Sequence, residues 1–76
     1  MIDKKTLGKI IQDKRKELGK TQHHLAEETS LSRNYISDLE NGRYSPSIET
    51  LTKIAVTLSL DLNLIKMTEI QVVNYE

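Results

Sequence analysis

The sequence predicts a mainly α-helical single domain. Apolar residues recur at intervals of three and four through most of the chain, and Ser or Thr stands at the head of each such stretch. Gly19 and Asn41-Gly42 close the first and third of these stretches, as expected where a chain leaves a helix. At 76 residues and 37% hydrophobic content, the chain can fill one small core but not a core with a deep substrate pocket.

Residues 5–18 read as the first helix. Thr6 is its expected cap, and Leu7, Ile10, Ile11 and Leu18 share one face. Gly19 ends it, because glycine enters the left-handed conformation at little cost. Lys14 falls on the apolar side, where its stem can be buried with the ammonium at the rim. The second helix starts at 21 or 22, behind the cap Thr21, and runs to 29 with Leu25 and Ala26 inward. Ser32 caps a third helix over 32–40 that buries Ile36 and Leu39, and Asn41-Gly42 supplies turn chemistry. After the loop Tyr44-Ser45-Pro46-Ser47, Ile48, Leu51, Ile54, Ala55 and Leu58 set the strongest helical period, over 47–58.

Beyond that point the pattern changes. Leu60, Leu62 and Leu64 alternate with polar residues, and Ile70, Val72, Val73 and Tyr75 favour strands, so 60–66 and 70–75 read as extended. A short fifth helix capped by Asp61 and burying Leu62 and Ile65 is the competing reading. The expected division is a domain over 1–66 and a C-terminal extension over 67–76.

Several functions are excluded by what the sequence lacks. With no cysteine there is no disulfide framework and no cysteine-based zinc site. His23 and His24 are adjacent, so on a helix they point about 100° apart, and no ligand set at metal spacing accompanies them; no metal or cofactor is expected. No phosphate loop, GxSxG, HExxH or Ser/His/Asp arrangement is present, and no catalytic residue is expected. No apolar run reaches membrane-spanning length, which reads as a cytoplasmic protein of bacterial or phage type. The 11 basic and 11 acidic residues balance overall, yet the first twenty residues hold seven basic against three acidic. That asymmetry points to a polyanionic partner.

Two short helices joined through Thr29-Ser30-Leu31, the second opening Ser32-Arg33-Asn34, have the layout of a helix-turn-helix, whose second helix enters the major groove. Three segments carry a more specific resemblance: Thr21-Gln22-His23-His24-Leu25-Ala26, the run Leu31 to Gly42 (LSRNYISDLENG), and Pro46-Ser47-Ile48-Glu49-Thr50-Leu51. Over about residues 7–65 the chain resembles the Cro/repressor-type (XRE-like) helix-turn-helix family. The resemblance implies a lambda-repressor-like bundle of four to five helices. It also implies phosphate contacts at Thr21, Gln22 and Ser32, with Gln22 bracing the reading helix. Base reading would fall on Arg33 and Asn34, with Ser37 and Asp38 one turn on. Asn41, Arg43 and Tyr44 would lie in the loop facing the second phosphate strand. Arg15 and Glu40 map onto the family's buried ion pair.

Four positions depart from the family pattern. Ser30 and Ser59 replace frequent glycines; a left-handed serine costs about 1–2 kcal/mol. Lys20 stands where an apolar residue is common, with Leu18 expected to compensate. Asp38 occupies a place that is often basic, where a carboxylate repels phosphate unless it meets a donor.

The sequence therefore reads as a sequence-specific transcriptional regulator of double-stranded DNA, a homodimeric repressor of a near-palindromic operator. Leu60, Leu62, Leu64, Ile70, Val72 and Val73 are the expected dimer seam. Two alternatives stay open: an antitoxin that represses its own operon while its tail or an outer face docks a toxin, and an interaction module that has lost DNA contact.

Overall fold

The computed structural model describes residues 3–60, which form four α-helices: α1 (Lys4–Glu17), α2 (Gln22–Thr29), α3 (Arg33–Glu40) and α4 (Ile48–Leu58). Both readings of 60–66 and 70–75, extended or helical, and the expected boundary at 66/67 fall on residues 61–76, outside the described residues, apart from Leu60. None of the helices among the described residues is long and apolar enough to cross a membrane.

Each helix begins with a side-chain oxygen accepting a backbone N–H three residues on. Thr21, Ser32 and Ser47 fill that role for α2, α3 and α4. The first helix starts earlier than its sequence suggests. Asp3, not Thr6, is the cap, and Thr6 supplies the N–H, 2.7 Å from Asp3 Oδ1. Asp and Thr are both capable caps, and the structure uses the one three residues earlier, which brings Lys4, Lys5 and Thr6 into the helix. Accepting that N–H holds the Asp3 carboxyl below its ordinary pKa.

The four helices end in one backbone motif. A residue in the left-handed region donates its N–H to the carbonyl three back, and the next residue donates to the carbonyl five back. The second bonds are Lys20 to Arg15, Leu31 to Ala26, Arg43 to Asp38 and Leu60 to Ala55, at 3.1, 3.0, 2.9 and 2.8 Å. Glycine holds the left-handed position after α1 and α3, at φ 72° for Gly19 and 78° for Gly42; serine holds it after α2 and α4, at 59° for Ser30 and 55° for Ser59. The serines accept the strain because the bonds around them secure the ends of both helices.

The core draws Leu7 and Ile11 from α1, Leu25 and Ala26 from α2, Ile36 and Leu39 from α3, and Leu51, Ile54 and Leu58 from α4. Helix α3 packs against α1 and α2, and α2 also packs against α4. Leu60, placed by sequence in the dimer seam, packs against this core together with Ile10, Leu31 and Tyr35. Two residues assigned to apolar faces are not buried: Leu18 is 42% exposed and Ile48 40% exposed. Both sit at helix ends, where the chain leaves the core. Leu18 therefore does not compensate for Lys20. Instead the Lys20 ammonium donates to Glu28 Oε1 at 2.8 Å and to the Thr57 carbonyl at 3.4 Å, so a charged residue occupies this part of the bundle with its donors engaged. That hydrogen bond from Lys20 holds the Glu28 carboxyl below its ordinary pKa.

A polar network inside the bundle sets how three helices meet. Glu40, whose side chain has no solvent exposure, accepts from Arg15 Nε at 2.6 Å, Arg15 Nη2 at 3.0 Å and Gln22 Nε2 at 3.0 Å. Arg15 Nη1 donates to the Lys20 carbonyl at 2.7 Å. No buried side-chain polar atom among the described residues lacks a partner. Beside this network, buried Gly8 lets α1 press against the end of α3: a Cβ there would collide with the Leu39 carbonyl oxygen and lie 2.8 Å from that of Glu40.

Two stability predictions follow from this packing. In a free helix Gly→Ala stabilises by about 1 kcal/mol; here Gly8→Ala should destabilise by about 1–3 kcal/mol through overpacking, measured by urea denaturation. Arg15→Met should cost about 3–5 kcal/mol by stranding a buried carboxylate, and adding Glu40→Leu should recover part of that loss, compared in the same titrations.

Candidate nucleic-acid interface

The turn between α2 and α3 is short because Ser30 reverses the chain in a single left-handed residue and Leu31 returns to the core. Ser32 then caps α3 through its Oγ, which accepts the Tyr35 N–H at 3.0 Å. The first turn of α3 therefore projects Arg33 and Asn34 outward, and both are exposed. Arg33 has no acidic partner within 4.0 Å among the described residues, so its five N–H donors remain available. One turn on, Ser37 and Asp38 are half-buried on the sides that follow Arg33 and Asn34 at i+4.

Thr21 is exposed at the start of α2, with its hydroxyl oxygen committed to the His24 N–H at 3.0 Å. Gln22 is half-buried and spends one amide hydrogen on Glu40, leaving the second free to donate. This amide thus ties the opening of α2 to the last residue of α3 while keeping one donor unspent.

The loop after α3 folds back onto it. Asn41 Nδ2 donates to the Ser37 carbonyl at 2.9 Å, Arg43 Nη1 donates to Asp38 Oδ1 at 2.8 Å, and the Tyr44 ring stacks on Tyr35 with centroids 5.8 Å apart and planes at 22°. Asn41, Arg43 and Tyr44 remain exposed. The structure thus gathers Ser32, Arg33, Asn34, Ser37, Asp38, Asn41, Arg43 and Tyr44 on α3 and its following loop, with Thr21 and Gln22 at the neighbouring start of α2. Of the seam residues only Leu60 is among the described ones; Leu62, Leu64, Ile70, Val72 and Val73 lie outside them.

Sequence reasoning missed three features here. The Asp38–Arg43 pair escaped notice because the two residues were assigned separate contacts, although a spacing of five across a helix end is the spacing of the closing motif. The Tyr35–Tyr44 stack spans nine positions and has no periodic signature. The close approach at Gly8 has no local signal, since nothing in its neighbours shows that another backbone lies against it.

His23 and His24 lie on the outer face of α2, 3.3 Å from Glu27 and 3.6 Å from Glu28 respectively, as exposed i,i+4 pairs. Among the described residues no group of three or more His, Cys, Asp or Glu side chains is placed to hold a metal ion.

Comparison with known proteins agrees with this geometry. A family model described as Helix-turn-helix matches residues 11–65. The ImmF control region 10 kDa protein of Bacillus phage phi105 is 56% identical over 73 residues, covering 96% of this chain and 81% of that protein. The immunity repressor protein of the same phage is 43% identical over 60 residues, covering 79% of this chain; the match spans only 42% of the repressor's own length. Among solved structures, the clp gene regulator ClgR from C. glutamicum superposes with a TM-score of 0.78 at 30% identity, covering 83% of this chain and 81% of that one. The chain belongs to the Cro/repressor-type (XRE-type) helix-turn-helix family.

Proposed function

We propose that this DNA-binding transcriptional regulator works as a homodimeric repressor, reading a near-palindromic operator through α3 and blocking transcription by occupying it. The observation that carries the reading is the exposed first turn of α3, where the side chains of Arg33 and Asn34 have no hydrogen-bond or ion-pair partner among the described residues while the helix beneath them is fixed by the Glu40 network. A helix of this kind fits the major groove, where Arg pairs with guanine O6/N7 and Asn with adenine N6/N7. Thr21, Gln22 and Ser32 flank it as phosphate contacts, which fix register without reading sequence. The names of the phage phi105 relatives, an immunity repressor and a control-region protein, favour repression over activation.

Dimerisation follows from the size of the reading surface. One helix-turn-helix contacts few base pairs, and paired domains read half-sites about 34 Å apart. The apolar residues from Leu60 onward, namely Leu62, Leu64, Ile70, Val72 and Val73, supply the seam in this reading, with 67–76 as its extension. Leu60 joins the core, so the seam would begin beyond it.

Two experiments test the proposal. Arg33→Ala should cost about 1–3 kcal/mol on the best duplex selected from a random pool and relax preference at one base pair, whereas Gln22→Ala should weaken selected and unrelated duplexes alike. Fluorescence anisotropy at two salt concentrations reads both, and unchanged affinity in Arg33→Ala overturns the register of the reading helix. Sedimentation at tens of micromolar should show a dimer; a monomer at that concentration overturns the seam.

A further inference from the structure

The end of α3 differs from those of α2 and α4 in one respect. The closing motif sets the residue after the left-handed position against the residue five before it, usually as an apolar contact. After α2 and α4 these positions hold apolar residues, Leu31 with Ala26 and Leu60 with Ala55. At the end of α3 the same two positions are Arg43 and Asp38, joined by a backbone bond of 2.9 Å and a side-chain ion pair of 2.8 Å. Asp38 follows Asn34 by four residues, so it lies on the same side of the helix as that outward residue. The pair therefore draws the Arg43 guanidinium from the loop to the reading side of α3. Tyr44, stacked on Tyr35, fixes the chain on the other side of Arg43. The Arg43 side chain is still 64% exposed, against 27% for Asp38.

Resting on the DNA-reading role of α3, we propose that Asp38 and Arg43 form one base-reading unit: Asp38 is a positioning residue that holds the Arg43 guanidinium at the groove edge, where it reads a guanine. This departs from both roles the family resemblance implied, a direct base contact by Asp38 and a place facing the phosphate strand for Arg43. Asp38 takes one of the five guanidinium donors, through Nη1, and leaves the Nε–Nη2 edge free for guanine O6 and N7. A free arginine at this place would attract any phosphate. The carboxylate cancels that charge and repels phosphate, which weakens binding to every duplex, while the oriented hydrogen bonds form only with guanine. Holding the side chain in place beforehand also reduces the rotamer entropy lost on binding.

The test compares the natural protein with Asp38→Ala, Asp38→Asn, Arg43→Ala and the Asp38→Ala/Arg43→Ala double variant. Each is subjected to selection from a random duplex pool and to titration of the preferred and an unrelated duplex at two salt concentrations. Arg33→Ala serves as the marker of reading by α3 itself. Arg43→Ala and Asp38→Ala should relax preference at the same guanine, a different base pair from the one lost in Arg33→Ala. The preference for the selected over the unrelated duplex should fall about fivefold or more in Arg43→Ala. Asp38→Ala should bind the unrelated duplex more tightly with a steeper salt dependence, and the double variant should show no further loss of preference beyond Arg43→Ala. Asp38→Asn keeps an oxygen to accept from Arg43 and should retain more of the guanine preference than Asp38→Ala. If Arg43→Ala weakens both duplexes equally and lowers the salt slope by about one, Arg43 is a phosphate contact and the unit does not exist. Loss of a cytosine preference in Asp38→Ala alone overturns it in favour of direct reading by Asp38. If no sequence is enriched by the natural protein, or Arg33→Ala alters nothing, the fault lies with the reading helix, and both proposals fall together.

Discussion

The buried carboxylate of Glu40 joins three helices, and the placement of the DNA-facing surface depends on it. Arg15 reaches it from α1, Gln22 from α2, and Glu40 itself is the last residue of α3. A carboxylate this deep is tolerated only because its oxygens are answered by a guanidinium and an amide. These bonds are directional, so they restrict the rotation of α3 relative to α2 more tightly than apolar packing between Ile36, Leu39 and Leu25 could. The outward direction of Arg33 and Asn34 follows from that restriction.

Gly8 works with the same network from the other side. The missing side chain lets α1 approach the final carbonyls of α3, and that approach lets Arg15, two turns further along α1, meet Glu40 in a bidentate pair. Close backbone contact and the ion pair therefore support each other.

The helix ends show how one local geometry can serve different purposes. After α2 and α4 the closing motif returns a leucine to the core; after α1 it presents Lys20, whose ammonium is then taken up by Glu28 and the Thr57 carbonyl. After α3 it places an ion pair on the outer surface instead. The backbone is constant, and the side chains at its two facing positions decide whether a helix end contributes to the core or to the polar surface.

The sequence by itself determined the four helices, three of the four caps and most of the inward residues, because capping, turn chemistry and periodicity act over a few neighbouring residues; the helix-turn-helix was identified through the resemblance of its segments to a known family. It placed the first cap at Thr6 instead of Asp3 and overestimated the burial of Leu18 and Ile48, since a face continues in a periodic pattern after the packing partner has ended. Tertiary structure alone decided that Gly8 is a contact point, that Tyr35 meets Tyr44, and that Asp38 belongs with Arg43. Each of these depends on how separate segments approach in space, and a contact of that kind leaves no period in the chain from which it could be read.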